Sequence, residues 1–134
     1  MRELWEGTMS ELSAATCERP APSDRSDRPI DLVHLARMTL GERSLEREVL
    51  QLFERQAMIL LARMQAAPVA AVSALAHTLK GSARAIGALR VAHAAEAVEN
   101  ANPADPADLK RALVVLSEAT AEARAYVTDL LRAN

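Results

Sequence analysis

From residue 29 onward, apolar residues recur at intervals of three and four, in segments separated by proline and glycine. This spacing places the apolar side chains on one face of an α-helix. Alanine supplies 28 of the 134 residues, whereas Trp, Tyr and Phe occur once each. Such a composition favours helices, since Ala loses no side-chain entropy there, and disfavours a β-sheet, which draws on β-branched and aromatic residues. The sequence therefore predicts an all-α protein.

Five segments carry helix start and stop signals. The predicted helices run from Leu32 to Leu40, from Ser44 to about Ala66, from Pro68 to about Gly87, across Val91 to Val98, and from Pro106 onward. Asp31, Ser44 and Asp105 are the expected N-caps, and Gly41 and Gly87 are expected to end helices. Four long helices with short connections predict an up-down-up-down four-helix bundle, with the short first helix across one end.

The bundle is expected to occupy residues 29–134. Its predicted core residues lie on single helical faces: Leu45, Val49, Leu52, Phe53, Leu60 and Met64; Val72, Leu75, Ala76, Leu79, Ala83 and Ile86; Leu109, Leu113, Leu116, Ala123, Val127 and Leu130. Residues 1–28 contain Pro20, Pro22 and a run of mixed charge with weak periodicity, which predicts a flexible N-terminal arm.

Charge and cysteine content exclude several classes of function. The formal net charge is −2 and the pI is near 5.9, so nucleic acid and anionic membranes are not expected partners. The single cysteine, Cys17, cannot form an intramolecular disulfide. Glu3, Glu6 and Glu11 lie where a signal peptide needs an apolar core, and no stretch is apolar enough to span a membrane. We expect a cytoplasmic protein.

The third predicted helix carries the residues with chemical potential. At 100° per residue, its apolar residues share one face and His77 points away from them, with Lys80, Gly81 and Arg84 on the same outer face. A glycine inside a helix costs about 1 kcal/mol relative to alanine. Gly81 leaves open the space beside His77, which favours an exposed imidazole that attacks an anionic group, with Lys80 offsetting its charge.

These residues resemble a known signature. His77-x-x-Lys80-Gly81, with Gly87 ten residues after the histidine, is similar to the motif of histidine phosphotransfer (HPt) domains of bacterial and fungal phosphorelays. The resemblance extends over about 29–132 and includes Val98-Glu99 late in the fourth helix.

The resemblance implies a monomeric phosphoryl carrier without autokinase activity. His77 would accept a phosphoryl group on Nε2 from a receiver-domain aspartate and pass it to another receiver. The implied partners are receiver domains of response regulators and hybrid histidine kinases. Mg²⁺ would be held by the receiver, so no cofactor is expected in this chain. Lys80 would stabilise the phosphoryl oxygens, Gly81 would allow the receiver to approach, and Glu99 would orient the imidazole through its other nitrogen. Arg84 replaces the commoner small residue or Asn, and would add a phosphate contact or select partners.

Other interpretations remain open at this point. The same face could dock a partner as a non-phosphorylated helical interaction module. Separately, Gly81 could be a packing notch between helices. A dimeric, kinase-like phosphotransferase would need an additional ATP-binding domain, and the chain has no Gly-rich phosphate loop. His34 and His93 are expected to be surface histidines without a catalytic role.

Overall fold

A computed structural model describes residues 28–133, in which all regular structure is α-helical. The helices are α1 (Leu32–Met38), α2 (Arg43–Ala66), α3 (Val69–Ile86), α4 (Leu89–Glu99) and α5 (Pro106–Ala133). Except for residue 28, the predicted N-terminal arm lies outside the described residues. Within residues 28–133, every helix is too short or too polar to cross a membrane.

The four longer helices pack in chain order and close into a ring. Contacts join α2 to α3, α3 to α4, α4 to α5, and α5 back to α2, while α1 packs on α3. This arrangement confirms the predicted helical bundle with a short additional helix at its N-terminal end. The expected up-down-up-down alternation rests on the shortness of the connections between consecutive helices.

Side-chain caps fix two of the helix starts as predicted. Asp31 Oδ1 accepts hydrogen bonds from the backbone N–H groups of Val33 at 3.1 Å and His34 at 3.2 Å. Asp105 Oδ1 accepts from the N–H of Ala107 at 3.1 Å, and Pro106 is the first residue of α5. Because a capping carboxylate satisfies backbone N–H groups that the helix itself leaves unpaired, these starts are readable from sequence.

Three predicted boundaries are wrong by one or two residues. Ser44 lies inside α2, where Glu42 holds the N-cap position without a side-chain cap. Pro68 precedes the first helical residue of α3 instead of being that residue. Helix α1 ends at Met38, because Leu40 (φ 56°) and Gly41 (φ 74°) both adopt the left-handed conformation and turn the chain into α2.

The core lies along one face of each long helix. Its α2 members are Leu50, Phe53, Ala57, Leu60 and Met64. Leu45 and Leu52, predicted to be buried, are exposed because they fall on the flank of that stripe, and Leu50 and Ala57 occupy the central positions. The α3 and α5 faces are closer to the prediction, but α5 also buries Thr120, which the apolar pattern did not include.

The C-terminal end of α3 is fixed by α1. Gly87 adopts φ 86° and ends α3, and its carbonyl accepts a hydrogen bond from the N–H of Asp31 at 2.9 Å. One turn into α1, His34 Nε2 donates to the carbonyl of Ala85 at 2.8 Å. A Cβ on Gly87 would lie 3.0 Å from the Asp31 carbonyl oxygen. The structure therefore requires glycine at position 87, both because of its positive φ and because a side chain would collide with Asp31.

Candidate functional site

His77 lies in the middle of α3, opposite the face that this helix buries. Val72, Ala76, Leu79 and Ala83 fill the core, and the His77 side chain is 67% exposed. The helical period produces this orientation, since residue 77 is displaced by about half a turn from residues 72, 79 and 83. The imidazole therefore lies at the protein surface on a rigid helix.

A single carboxylate, that of Glu99, connects His77 to Lys80. Glu99 is the last residue of α4, and its Oε2 lies 2.7 Å from His77 Nδ1. Its other oxygen, Oε1, lies 2.7 Å from Lys80 Nζ. The Glu99 and Lys80 side chains are 20% and 13% exposed, so both are much less accessible than the imidazole they accompany. The structure thus brings three of the five predicted site residues into direct contact.

The contact with Glu99 determines which ring nitrogen can act as a nucleophile. A carboxylate can only accept, so we assign the proton to Nδ1, which donates to Glu99 Oε2. A neutral imidazole with its proton on Nδ1 has its lone pair on Nε2. Within residues 28–133, His77 makes no other hydrogen bond. The site therefore presents an unpaired, nucleophilic Nε2 at the surface.

The electrostatics of the cluster keep Glu99 ionised. The Lys80 ammonium, with a smaller contribution from His77, lowers the pKa of the Glu99 carboxyl below its ordinary value of 4.5, although partial burial opposes the shift. At neutral pH the carboxylate therefore carries a full negative charge. That charge favours the tautomer in which Nδ1, the ring nitrogen that faces Glu99, carries the hydrogen.

Lys80 lies closer to the protein interior than its helical position alone suggested. The sequence placed it on the outer face beside His77, whereas the ion pair draws it toward α4. Its ammonium is one helical turn from the imidazole and shares a carboxylate with it. This geometry makes Lys80 a counter-ion to Glu99 in the structure as it stands.

Gly81 faces open space one turn after His77. Among residues 28–133, a Cβ built on it would have no atom within 4 Å beyond its own helix, so none of the described helices requires a glycine at this position. The packing-notch interpretation is therefore wrong. The space beside the imidazole is open to a molecule that approaches from solution.

Arg84 belongs to a second ion pair, which was not predicted from the sequence. Its Nη2 lies 3.8 Å from Glu96 Oε1, and no contact with His77 is present. Glu96 and Glu99 are three residues apart on α4, and they face Lys80 and Arg84, four residues apart on α3. Two acidic residues about one turn apart on α4 and two basic residues one turn apart on α3 were the sequence pattern that could have predicted these ion pairs. His93 lies exposed on α4.

No candidate metal centre accompanies the cluster. Among residues 28–133, no group of three His, Cys, Asp or Glu side chains is placed to hold a metal ion.

Comparison with family models identifies one match. The model described as the Hpt domain matches residues 48–132, which is more than half of the chain. The chain belongs to the Hpt domain family. Hpt domains are helical phosphocarrier modules of two-component signalling, so membership implies phosphotransfer and interaction with receiver domains. The matched range of this Hpt domain includes His77 and Glu99 and begins within α2, after α1. The comparisons with curated proteins and with solved structures each returned no match.

Proposed function

We propose that this Hpt domain relays a phosphoryl group between receiver-domain aspartates, with His77 Nε2 as the acceptor atom. One observation carries the proposal: the exposed imidazole is held through Nδ1 by Glu99, which leaves Nε2 unpaired and facing solvent. Family membership supports the same chemistry. The proposal is for a cytoplasmic, monomeric carrier without autokinase activity, and the four long helices of one chain support the monomer.

The transfer step needs only the His77 imidazole and the aspartyl phosphate of the receiver as reactants. The Nε2 lone pair attacks the phosphorus of the receiver's aspartyl phosphate, an N–P bond forms, and the acyl phosphate P–O bond breaks to release the aspartate carboxylate. The ring keeps its proton on Nδ1 and becomes a phosphorylated imidazolium. The Glu99 carboxylate, 2.7 Å from Nδ1, compensates the positive charge that develops on the ring.

The same proton supports the onward step. When a second receiver aspartate attacks the phosphorus, the N–P electron pair returns to Nε2. Because Nδ1 is still protonated, the leaving group is neutral imidazole instead of a strongly basic imidazolate. Glu99 is therefore proposed as a positioning residue for both directions of transfer, acting through His77.

Lys80 supplies the positive charge nearest to the proposed phosphoryl group. A phosphoryl group on His77 adds up to two negative charges beside a carboxylate that is already ionised. The Lys80 ammonium is paired with Glu99 before transfer, and we propose that it then lies between both anions and offsets their repulsion. Mg²⁺ is assigned to the partner receiver. Because Arg84 pairs with Glu96 and not with His77, we propose that it contacts the partner instead of the phosphoryl group.

The test is uptake of label from a phosphorylated receiver. The 134-residue chain is incubated with a ³²P-labelled receiver domain, and acid-labile label on the Hpt chain is measured. Wild type and His93→Gln are expected to take up label equally, because His93 is an exposed histidine outside the cluster. His77→Gln is expected to take up none. Equal labelling of wild type and His77→Gln would show that another residue is the acceptor, and the proposal would be wrong.

A binding measurement separates the relay from the non-phosphorylated interaction module. Under the proposal, His77→Gln still binds the receiver but abolishes the output of the pathway. An interaction module would retain both binding and output in that variant. A circular dichroism melt of His77→Gln checks that the exposed substitution leaves the bundle folded.

A further inference from the structure

One side of α2 carries large apolar side chains that are exposed to solvent. Leu45, Leu52 and Ile59 follow each other at intervals of seven residues, and they are 37%, 57% and 52% exposed. Seven residues are about two helical turns, so these side chains lie nearly in line along the helix. Single exposed apolar residues are normal, whereas a continuous row is typical of a surface that another segment covers. We call these three residues the outer row of α2.

The charge beside the C-terminal half of the outer row is positive. Arg55 and Arg63 lie four residues before and four residues after Ile59, which places them on the same side of α2. Both are exposed, and neither has an ion pair or hydrogen bond within the part of the chain that the structure describes. Of the nearby acidic residues, Glu54 faces α5, where an arginine pairs with it at 3.5 Å, and Glu48 lies toward the N-terminal half of the row.

The beginning of the chain supplies an apolar segment of the opposite charge. Residues 1–27 lie outside the described residues, and their large apolar residues all fall within the first twelve: Met1, Leu4, Trp5, Met9 and Leu12. At 100° per residue, these five share an arc of about 140° around a helix. The same twelve residues contain three glutamates and one arginine. Apolar character and negative charge both complement the C-terminal half of the outer row.

The connecting chain is long enough to bring this segment to the outer row. Asp31 is hydrogen-bonded to Gly87 at the end of α3. Two residues join α2 to α3, so the helices are antiparallel neighbours, and the end of α3 lies beside the first half of α2. From there, Ile59 is roughly 15 Å along α2 at 1.5 Å per residue. Residues 13–27 can span about 50 Å when extended.

We propose that residues 1–12 fold back on the bundle and cover the outer row of α2. Trp5 and the apolar residues beside it contact Leu52 and Ile59, and the glutamates of the segment lie near Arg55 and Arg63. The connecting chain keeps the segment at an effective concentration on the order of millimolar, so a contact too weak to hold separate molecules together is sufficient. The contact does not involve His77 and requires no phosphotransfer.

The chain contains a single tryptophan, so its fluorescence reports on Trp5 alone. In the native 134-residue chain, Trp5 is expected to emit at shorter wavelength than in urea and to be quenched less by acrylamide. Leu52→Ser combined with Ile59→Ser is expected to remove both differences. Met58→Ser is the matched control, since Met58 is 43% exposed on α2 but lies about 100° from Ile59 around the helix. It is expected to leave the emission unchanged.

A second pair of variants tests the charge. Arg55→Gln combined with Arg63→Gln is expected to shift the emission of Trp5 toward its value in urea, because the glutamates of the segment lose their counter-charges. Lys110→Gln removes an exposed charge from α5 and is expected to have no effect.

The single cysteine, Cys17, allows the position of the segment to be measured. A nitroxide attached to it is expected to broaden the amide signals of α2 near Leu52 and Ile59 in the ¹⁵N-labelled chain. Leu4→Ser combined with Leu12→Ser is expected to abolish this broadening, and neither change touches α1–α5. A mixture of spin-labelled ¹⁴N chain and unlabelled ¹⁵N chain is expected to show none, because the contact is intramolecular.

Five results would overturn the proposal: native emission equal to that in urea, shifted emission that persists in the Leu52→Ser and Ile59→Ser variant, unchanged emission in the double arginine variant, broadening confined to another helix, or broadening in the mixed sample. The last result would assign the outer row to a second copy. Circular dichroism monitors the fold of each variant. If the α2 variant unfolds, the Leu4→Ser and Leu12→Ser variant decides the outcome.

Discussion

Gly81→Ala is the substitution that most sharply separates stability from function in this protein. An interior helical glycine is about 1 kcal/mol less favourable than alanine. The added Cβ would meet no atom within 4 Å beyond its own helix, so no steric term opposes this gain. We expect the free energy of unfolding to rise by about 0.5–1 kcal/mol. For a domain of roughly 100 residues, that corresponds to a melting temperature about 2–5 °C higher.

The same methyl group is expected to slow transfer from a receiver. It occupies the open space one turn after His77, where the partner must approach Nε2 closely. Forcing an additional methyl into a packed contact costs about 1–3 kcal/mol, which corresponds to transfer slower by roughly five-fold to 150-fold. Labelling by phosphoramidate, a small donor, is expected to be unchanged, because a single methyl does not block a molecule of that size.

Rapid-quench transfer from a labelled receiver and thermal melts of the same samples provide the assay. Ala125→Gly is the matched control, since Ala125 lies exposed inside α5. It is expected to lower the free energy of unfolding by about 1 kcal/mol and to leave transfer unchanged. If Gly81→Ala transfers as fast as wild type, then Gly81 is not required for access and the reasoning is refuted. A less stable Gly81→Ala would refute the claim that its surroundings are empty.

Three further substitutions test the fold and the charge cluster. Gly87→Ala is expected to lower the free energy of unfolding by at least about 1 kcal/mol, because alanine is strained at φ 86° and its Cβ would lie 3.0 Å from a backbone oxygen; an unchanged melting temperature would contradict this. Glu99→Gln is expected to be less stable than wild type at pH 7 but to approach it at pH 3. The pKa of Glu99 is lowered in the folded chain, so its ionised form stabilises the fold above pH 4.5, and that stabilisation is lost as the pH falls through the lowered pKa. Urea unfolding between pH 3 and pH 7 measures the free energy of unfolding of both proteins. A difference between wild type and Glu99→Gln that does not change with pH would refute the lowered pKa of Glu99. Thr120→Val is expected to raise the free energy of unfolding by about 1 kcal/mol in thermal melts, because the buried Thr120 hydroxyl has no hydrogen-bond partner among residues 28–133; a loss of stability would show that the hydroxyl is satisfied.

Features that depend on one residue and its local backbone could be predicted from the sequence. Asp31 and Asp105 cap their helices because a carboxylate next to unpaired N–H groups needs no distant partner. Gly87 ends α3 because few other residues adopt a positive φ without strain. The start of α2 could not be predicted correctly from the sequence, because Glu42 holds the N-cap position without making a side-chain cap.

Features that depend on packing between helices could not be read from the sequence. The period of α3 indicates that Lys80 and His77 share an outer surface, but it cannot indicate how deep the Lys80 ammonium lies. That depth is set by Glu99, which approaches from another helix. The pairing of Arg84 with Glu96 has the same origin. Burial of Thr120 in an otherwise apolar stripe likewise follows from the position of the neighbouring helices.

The abundance of alanine links the composition to the geometry of the cluster. The buried residues of α3 and α4 include several alanines, among them Ala76, Ala83, Ala92 and Ala95. Helix axes approach more closely when the side chains between them are small. A glutamate side chain at the end of α4 can therefore reach both the imidazole and the ammonium of α3 at 2.7 Å. Larger residues between α3 and α4 would separate the helices and lengthen both contacts of Glu99. The alanine-rich composition, which at first indicates only helices, therefore also sets the distance at which Glu99 can hold the proton on His77 Nδ1 and pair with Lys80.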